Sequence, residues 1–418
     1  MKAVVLKVLF GLLVTAATSS AVLQVSSDTL YSEQRTIVGD VIVMDGSSLL
    51  ITHDPELGIL SGTISNNGNL CIGTTDTTSI MSIDILATNI ENKGNLIIDN
   101  GVAGDKTTTV KVASLDNSGN LLIDLKDSME SLTVTNSFVN TGYMSLSHVT
   151  LQGYDGVFTF KGPTSGITNS GTIDVSGTNI TIDYPISGGG CIYGNEWRTD
   201  LTVNTNYQHD QTFWMQKSDR ASSITLLGAG KYIPVIRGFN SGNKIQFGRN
   251  IQKYDGTITT PSYNPDTGIV TTSNMYGTFQ IDIGKGYDGS KIKSEQSNSC
   301  PTVSDSSCYA PALTYGDDAV EPAAATERPT SCASRPDLSM AICSTVLPSL
   351  SSFPSSYSTS HISTGISSTT NNNGQCVKTE TSTSYFSTLH TTTYFYSKVS
   401  TITAPRTRTF ITTYHTKI

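Results

Sequence analysis

Asn66-Asn67-Gly68-Asn69-Leu70, Asn92-Lys93-Gly94-Asn95-Leu96, Asn117-Ser118-Gly119-Asn120-Leu121, Asn140-Thr141-Gly142-Tyr143-Met144 and Asn169-Ser170-Gly171-Thr172-Ile173 are five copies of one pattern: Asn, any residue, Gly, any residue, an apolar residue. Their glycines stand 26, 25, 23 and 29 residues apart. Four residues before each Gly is Ile64, Ile90, Leu115, Phe138 or Ile167. Two residues after come Leu70, Leu96, Leu121, Met144 and Ile173, and four after come Ile72, Ile98, Ile123, Leu146 and Val175. All fifteen positions are apolar in a chain that is only 37% hydrophobic.

Recurrence at this length marks a stacked coil in which each copy is one rung. The apolar positions alternate with Asn, Ile, Asp, Tyr or Ser, which predicts a period-two strand with one buried face. Asn-x-Gly supplies the turn, with Gly accepting positive φ and Asn bonding its own backbone. A rung of about 25 residues is too short for strand, helix and return strand, so it suits three short strands per turn of a parallel β-coil. Like residues then stack at about 4.8 Å as aliphatic and Asn ladders. We read the repeated Asn as a structural ladder rather than as sugar ligands.

Working outward, Lys2 and Lys7 precede an apolar run from Val8 to Ala17 and small residues at 18–21. This predicts a signal peptide over 1–20 and an exported chain. The run is too short to span a bilayer. Net charge is −8, with 14% of residues charged and no basic cluster, which argues against a nucleic-acid partner.

Gly-rich Ser187–Cys191 ends the strongest periodicity, and the coil is expected over 21–228. Over 229–300, turn signals such as Asn264-Pro265-Asp266-Thr267-Gly268 separate strand-like runs, which predicts antiparallel pairing and a small β-sandwich cap. Such a cap would cover the open last rung. A Cys-containing linker follows over 301–343. From 344 to 418 roughly half the residues are Ser or Thr, the composition of a disordered, O-glycosylated stalk. The run Thr391–Tyr396 within it has strand propensity. Asn179-Ile180-Thr181 is an N-glycosylation sequon.

Seven cysteines in an exported chain suggest disulfides. The candidates are Cys191, Cys300, Cys308, Cys332 and Cys343, with the connectivity open. Cys71 and Cys191 would stand four or five rungs apart, about 20 Å, beyond the roughly 7 Å reach of a direct bridge.

Chemistry was sought among Asp84, Asp99, Asp124, Asp174 and Asp183 and among His53, His148 and His209. Asp99 and Asp124 each follow their glycine by five residues and would be neighbours on an outward face, where solubilising charge is the plainer meaning. No histidine falls in a metal or nucleophile motif. Neither catalytic residues nor a cofactor nor a metal site is expected.

Gly190-Cys191-Ile192, Gly238-Phe239-Asn240-Ser241-Gly242-Asn243-Lys244-Ile245 and Phe279-Gln280-Ile281-Asp282-Ile283-Gly284-Lys285-Gly286-Tyr287-Asp288 give the chain its resemblance. Over about residues 22–300 it resembles the N-terminal domain of the hyphally regulated cell-wall proteins, the Hyr/Iff-type adhesins of Candida and relatives. The resemblance implies a right-handed parallel β-helix and a crystallin-like sandwich. It also implies display at the fungal cell wall in adhesion or biofilm formation, without catalysis. Host or abiotic surfaces, sibling cells and cell-wall glycans are the partners it implies. A purely structural wall glycoprotein and a polysaccharide-processing β-helix enzyme are the alternatives. Family members usually end in a GPI-anchor signal, whereas Arg406-Thr407-Arg408 to Lys417-Ile418 is polar and basic. Truncation, release and non-covalent retention therefore stay open.

Overall fold

The computed structural model describes residues 22–345 apart from 33–35, 53–55, 74–81, 102–106, 126–129, 149–157, 196–198, 217–222, 249–257, 275–276, 298–309 and 317–318. Beyond them it describes strand segments between 363 and 412. The signal peptide expected over 1–20, His53, Cys300 and Cys308 lie outside the described residues.

The chain winds into a parallel β-solenoid of about eight turns. Each turn has three faces, as the rung length requires. In the first turns one long strand bends to cover two faces: Glu56–Asn66, Ser82–Asn92, Thr108–Asn117 and Glu130–Asn140. Asn-x-Gly then turns the corner into the third face. That face runs Asn69–Gly73, Asn95–Asp99, Asn120–Leu125, Tyr143–His148, Thr172–Ser176, Cys191–Asn195, Thr212–Met215 and Val235–Arg237, each strand parallel to the next.

The register aligns Leu70, Leu96, Leu121, Met144 and Ile173 one above another, and likewise Ile72, Ile98, Ile123, Leu146 and Val175. With the column from Ile64 to Ile167, all fifteen positions are at most 3% exposed and belong to one continuous core. Each such side chain contributes about 1.5–3 kcal/mol by leaving water.

The turn works differently from its sequence reading. Gly68, Gly94, Gly119, Gly142 and Gly171 do not have positive φ. A Cβ on each would instead collide with a backbone carbonyl of the rung below: Ser47 for Gly68, then Gly68, Gly94, Gly119 and Gly142 in order. Glycine is required because successive corners stack backbone on backbone. The Asn side chains likewise bond the next rung rather than their own. Asn66 Nδ2 donates to Asn92 Oδ1, Asn92 to Asn117, Asn117 to Asn140 and Asn140 to Asn169, all at 2.7 Å and fully buried. The rung at Gly188–Gly190 has no side chain to offer. Gln211 reaches through it to accept from Asn169 at 2.6 Å. A second, half-buried ladder runs the other way, from Asn120 through Asn95 and Asn69 to Ser48.

Parallel pairing on the first face continues past residue 228, through Asp200–Asn204, Ser223–Leu227 and Lys244–Gly248. The ends of two faces then become antiparallel. Gly277–Asp282 extends the third face and pairs with Ile269–Asn274, which pairs with Ser262–Asn264. Ala310–Tyr315 extends the first face and pairs with Ile292–Ser297. Phe247 meets Phe279 edge-on at 5.0 Å, and Tyr287 meets Tyr315 at 5.1 Å, so the two antiparallel ends face each other as a small sandwich.

Residues 349–418 form a separate compact unit. Where composition predicts a disordered stalk, Ser363–Thr370, Cys376–Thr383, Arg408–Thr412 and Ser400–Ala404 pair as a four-stranded sheet. Thr393–Tyr394, from the run noted for strand propensity, pairs with Phe386–Ser387. The abundant β-branched Thr favours extended backbone.

Candidate functional site

The carboxylates considered from sequence are dispersed. Asp84 is exposed on the first face, opposite Gly58 and Thr109. Asp183 is exposed at a corner and accepts from Asn204 Nδ2 at 2.5 Å. Asp99 and Asp124 are register neighbours on the third face. Each is half-buried and engaged: Asp99 accepts from the Gly101 amide at 2.8 Å, and Asp124 from Ser147 Oγ at 2.7 Å. His148 lies in a third-face strand. His209 is buried, its Nε2 3.0 Å from the Asn204 carbonyl and its ring edge-on to Phe213. Burial holds that imidazole below the usual range. Asn179 opens a first-face strand and is half-exposed.

Asp174 has a different environment. It is fully buried, although its strand position points outward from the coil. Leu50, Cys71, Ile97, Leu122, Ser145 and Tyr193 share that outward column, and all are buried too. The one-sided burial expected of this strand therefore gives way to burial on both sides. The cover is the segment from Arg328 to Cys343. It crosses the rungs against the direction of the coil and is pinned by two disulfides, Cys191–Cys332 and Cys71–Cys343.

Cys71, absent from the sequence candidates, is thus one anchor of this strap. It and Cys191 are five rungs apart, about 24 Å, a distance that the eleven-residue step from Cys332 to Cys343 spans easily, since it reaches about 36 Å fully extended. Between the disulfides, the Ala333 amide bonds Thr172 Oγ1 at 2.8 Å. Arg328 lays its guanidinium over Trp214 at 4.7 Å and Tyr193 at 5.3 Å.

Beneath the strap, Tyr143 donates to Asp174 Oδ2 at 2.6 Å, with the Tyr193 hydroxyl 3.0 Å from that of Tyr143. Burial, and next the Asp174 carboxylate, push both phenols above their ordinary value. The tyrosines stay protonated as donors, so the cluster acts as a structural tie.

The opposite side of the rod carries a groove of about 590 Å³ across the second face. It forms where the smooth corner of the early rungs breaks. Glu130–Asn140 holds one residue more than its neighbour: Val112 pairs with Val134 but Ser114 with Ser137. This bulge leaves Thr135, Asn136 and Ser137 exposed. In the next turn Phe158–Lys161 and Ile167–Asn169 are separate strands joined by a turn in which the Gly166 amide bonds Pro163. Pro185 and residues 208–210 complete the walls. Sequence reasoning missed this site. Its only local signal is the widening of the glycine spacing to 29 residues between Gly142 and Gly171.

Among the described residues no helix is long and apolar enough to cross a membrane. No group of three or more His, Cys, Asp or Glu among them is placed to hold a metal.

A three-faced solenoid with an antiparallel end and a disulfide-pinned strap defines a rigid extracellular-type module without a converging catalytic constellation. Residues 12–341 match the family described as the hyphally regulated cell wall protein N-terminal domain, and the chain belongs to that family. It is 25% identical over 266 residues to cell wall protein RBR3 of Candida albicans, covering 60% of this chain and 16% of that protein. It is 24% identical over 270 residues to cell wall protein IFF9 of the same organism, covering 62% and 26%. The chain thus spans a small part of the relatives it matches, all of them cell-wall proteins.

Proposed function

We propose that this chain is an exported, cell-wall-associated adhesin-like protein that works by presentation rather than catalysis. The carrying observation is the strap. By bridging Cys343 to Cys71, it brings the chain out of the solenoid beside the second third-face strand rather than at the cap. A chain rooted there holds the solenoid as a rod whose sandwich end is the far end. Its uncovered faces are rich in Ser, Thr and Asn. Many weak polar contacts, multiplied over copies on a cell, supply attachment. Host or abiotic surfaces, sibling cells and wall glycans are the contacts proposed, with the 344–418 segment glycosylated and Asn179 a further acceptor. Display of the full chain on a non-adherent yeast tests the reading. A gain in attachment to host cells, plastic or sibling cells is expected, and no gain on any of the three contradicts it.

A further inference from the structure

The groove on the second face has a chemistry as well as a shape. We infer that it binds a neutral, linear oligosaccharide lying along the rod axis; the inference deepens the adhesin reading by giving it a ligand class and a site.

Three observations carry it. The first is the lining. Asn136, Ser137, Thr168, Ser187 and Gln208 offer hydroxyls and amides, and Asp210 is the sole ionisable residue in the walls. Hydroxyl and amide groups both donate and accept, as sugar hydroxyls do, and a carboxylate accepts from neighbouring hydroxyls of one ring. With no cation in the lining, an anionic polymer meets only a negative charge.

The second is the floor. Phe138, Ile167, Ile186 and Pro185 put apolar surface beneath these polar groups. That combination suits a pyranose, whose ring C–H faces are apolar and whose rim is polar. The volume of about 590 Å³ lies inside the range of about 300–1,000 Å³ common to ligand clefts.

The third is the period. Val139, Thr168 and Ser187 are register partners on consecutive turns, and Ile186 bridges on to His209, next to Gln208 and Asp210. Polar side chains therefore recur along the axis at the rung spacing of about 4.8 Å, close to the length of one sugar in an extended glycan. The rungs offer one set of contacts per sugar. The Asn ladders cannot serve this purpose, because the main one is spent inside the core.

The test is calorimetric titration of the purified full chain with β-glucan, mannan and chitin hexasaccharides and with a sulfated hexasaccharide. Thr168→Trp fills the groove, and Gln208→Ala with Asp210→Ala strips its polar wall. All three positions are exposed, and unchanged Tm confirms folding. At least one neutral hexamer is expected to bind, at least tenfold more weakly to Thr168→Trp and several-fold more weakly to the double variant, with the sulfated hexamer failing to bind. Binding of no neutral hexamer, equal binding by Thr168→Trp, or preference for the sulfated one overturns the inference. The two readings separate on displayed cells. Attachment with no groove-dependent glycan binding keeps the adhesin and sinks the groove; groove-dependent binding without any attachment does the reverse.

Discussion

Gly119 and Asn117 show what a single residue does in a stacked coil. Gly119 has no room for a Cβ because the Gly94 carbonyl lies against it. Gly119→Ala is expected to cost at least about 2 kcal/mol in urea unfolding, while the exposed neighbour change Ser118→Ala stays within about 0.5 kcal/mol. Asn117→Ala strips a donor from Asn140 and an acceptor from Asn92. Leaving buried amide groups without partners is expected to cost about 2–4 kcal/mol in the same measurement. His209 adds a pH dependence. Its imidazole is held below its ordinary value by burial, so the unfolded chain takes up the proton first as pH falls. Stability is therefore full above about pH 6.5 and declines below it, and His209→Gln is expected to flatten the acid limb of a Tm-versus-pH profile. At this scale the sequence was legible in its identities and illegible in its reasons. The Asn-x-Gly copies are plain to see, but the groups that make them obligatory lie one rung away, 23–29 residues along the chain.

The elements divide by how far their partners are. The third-face strands and the Asn-x-Gly corners recur at a fixed period, so their stacking was readable from fifteen apolar positions. The strap has no period. Arg328–Cys343 contains two short helical turns and extended chain, and nothing local says that it returns across five rungs. The cysteine count implied crosslinks, yet Cys71 and its partner Cys343 are 272 residues apart. The strap's burial of Ile97, Leu122 and Asp174 on a nominally outward face follows from that pairing alone. Cys71→Ser with Cys343→Ser is expected to lower stability by about 2–4 kcal/mol and to admit protease between 333 and 342. A variant as stable and as resistant as the parent would show that the strap is held without its disulfide. Tyr143→Phe, which takes the donor from buried Asp174, is expected to cost about 1–3 kcal/mol in urea.

For the whole molecule, the fold was legible down to its antiparallel end, because hairpin turns such as Asn264–Gly268 announce where parallel winding stops. The direction in which the rod is presented was not, since it depends on the strap alone. A peptide tag inserted between Asp266 and Thr267, exposed in the cap, is expected to lie farther from the surface of a displaying cell than a label near residue 345. The most direct test of the account is peptide mapping of the purified, unreduced chain by mass spectrometry. Linked peptides carrying Cys71 with Cys343 and Cys191 with Cys332 are the predicted result. Recovery of Cys332 joined to Cys343, or of Cys71 and Cys191 as free thiols, would contradict a strap that ties the chain's exit to the second rung.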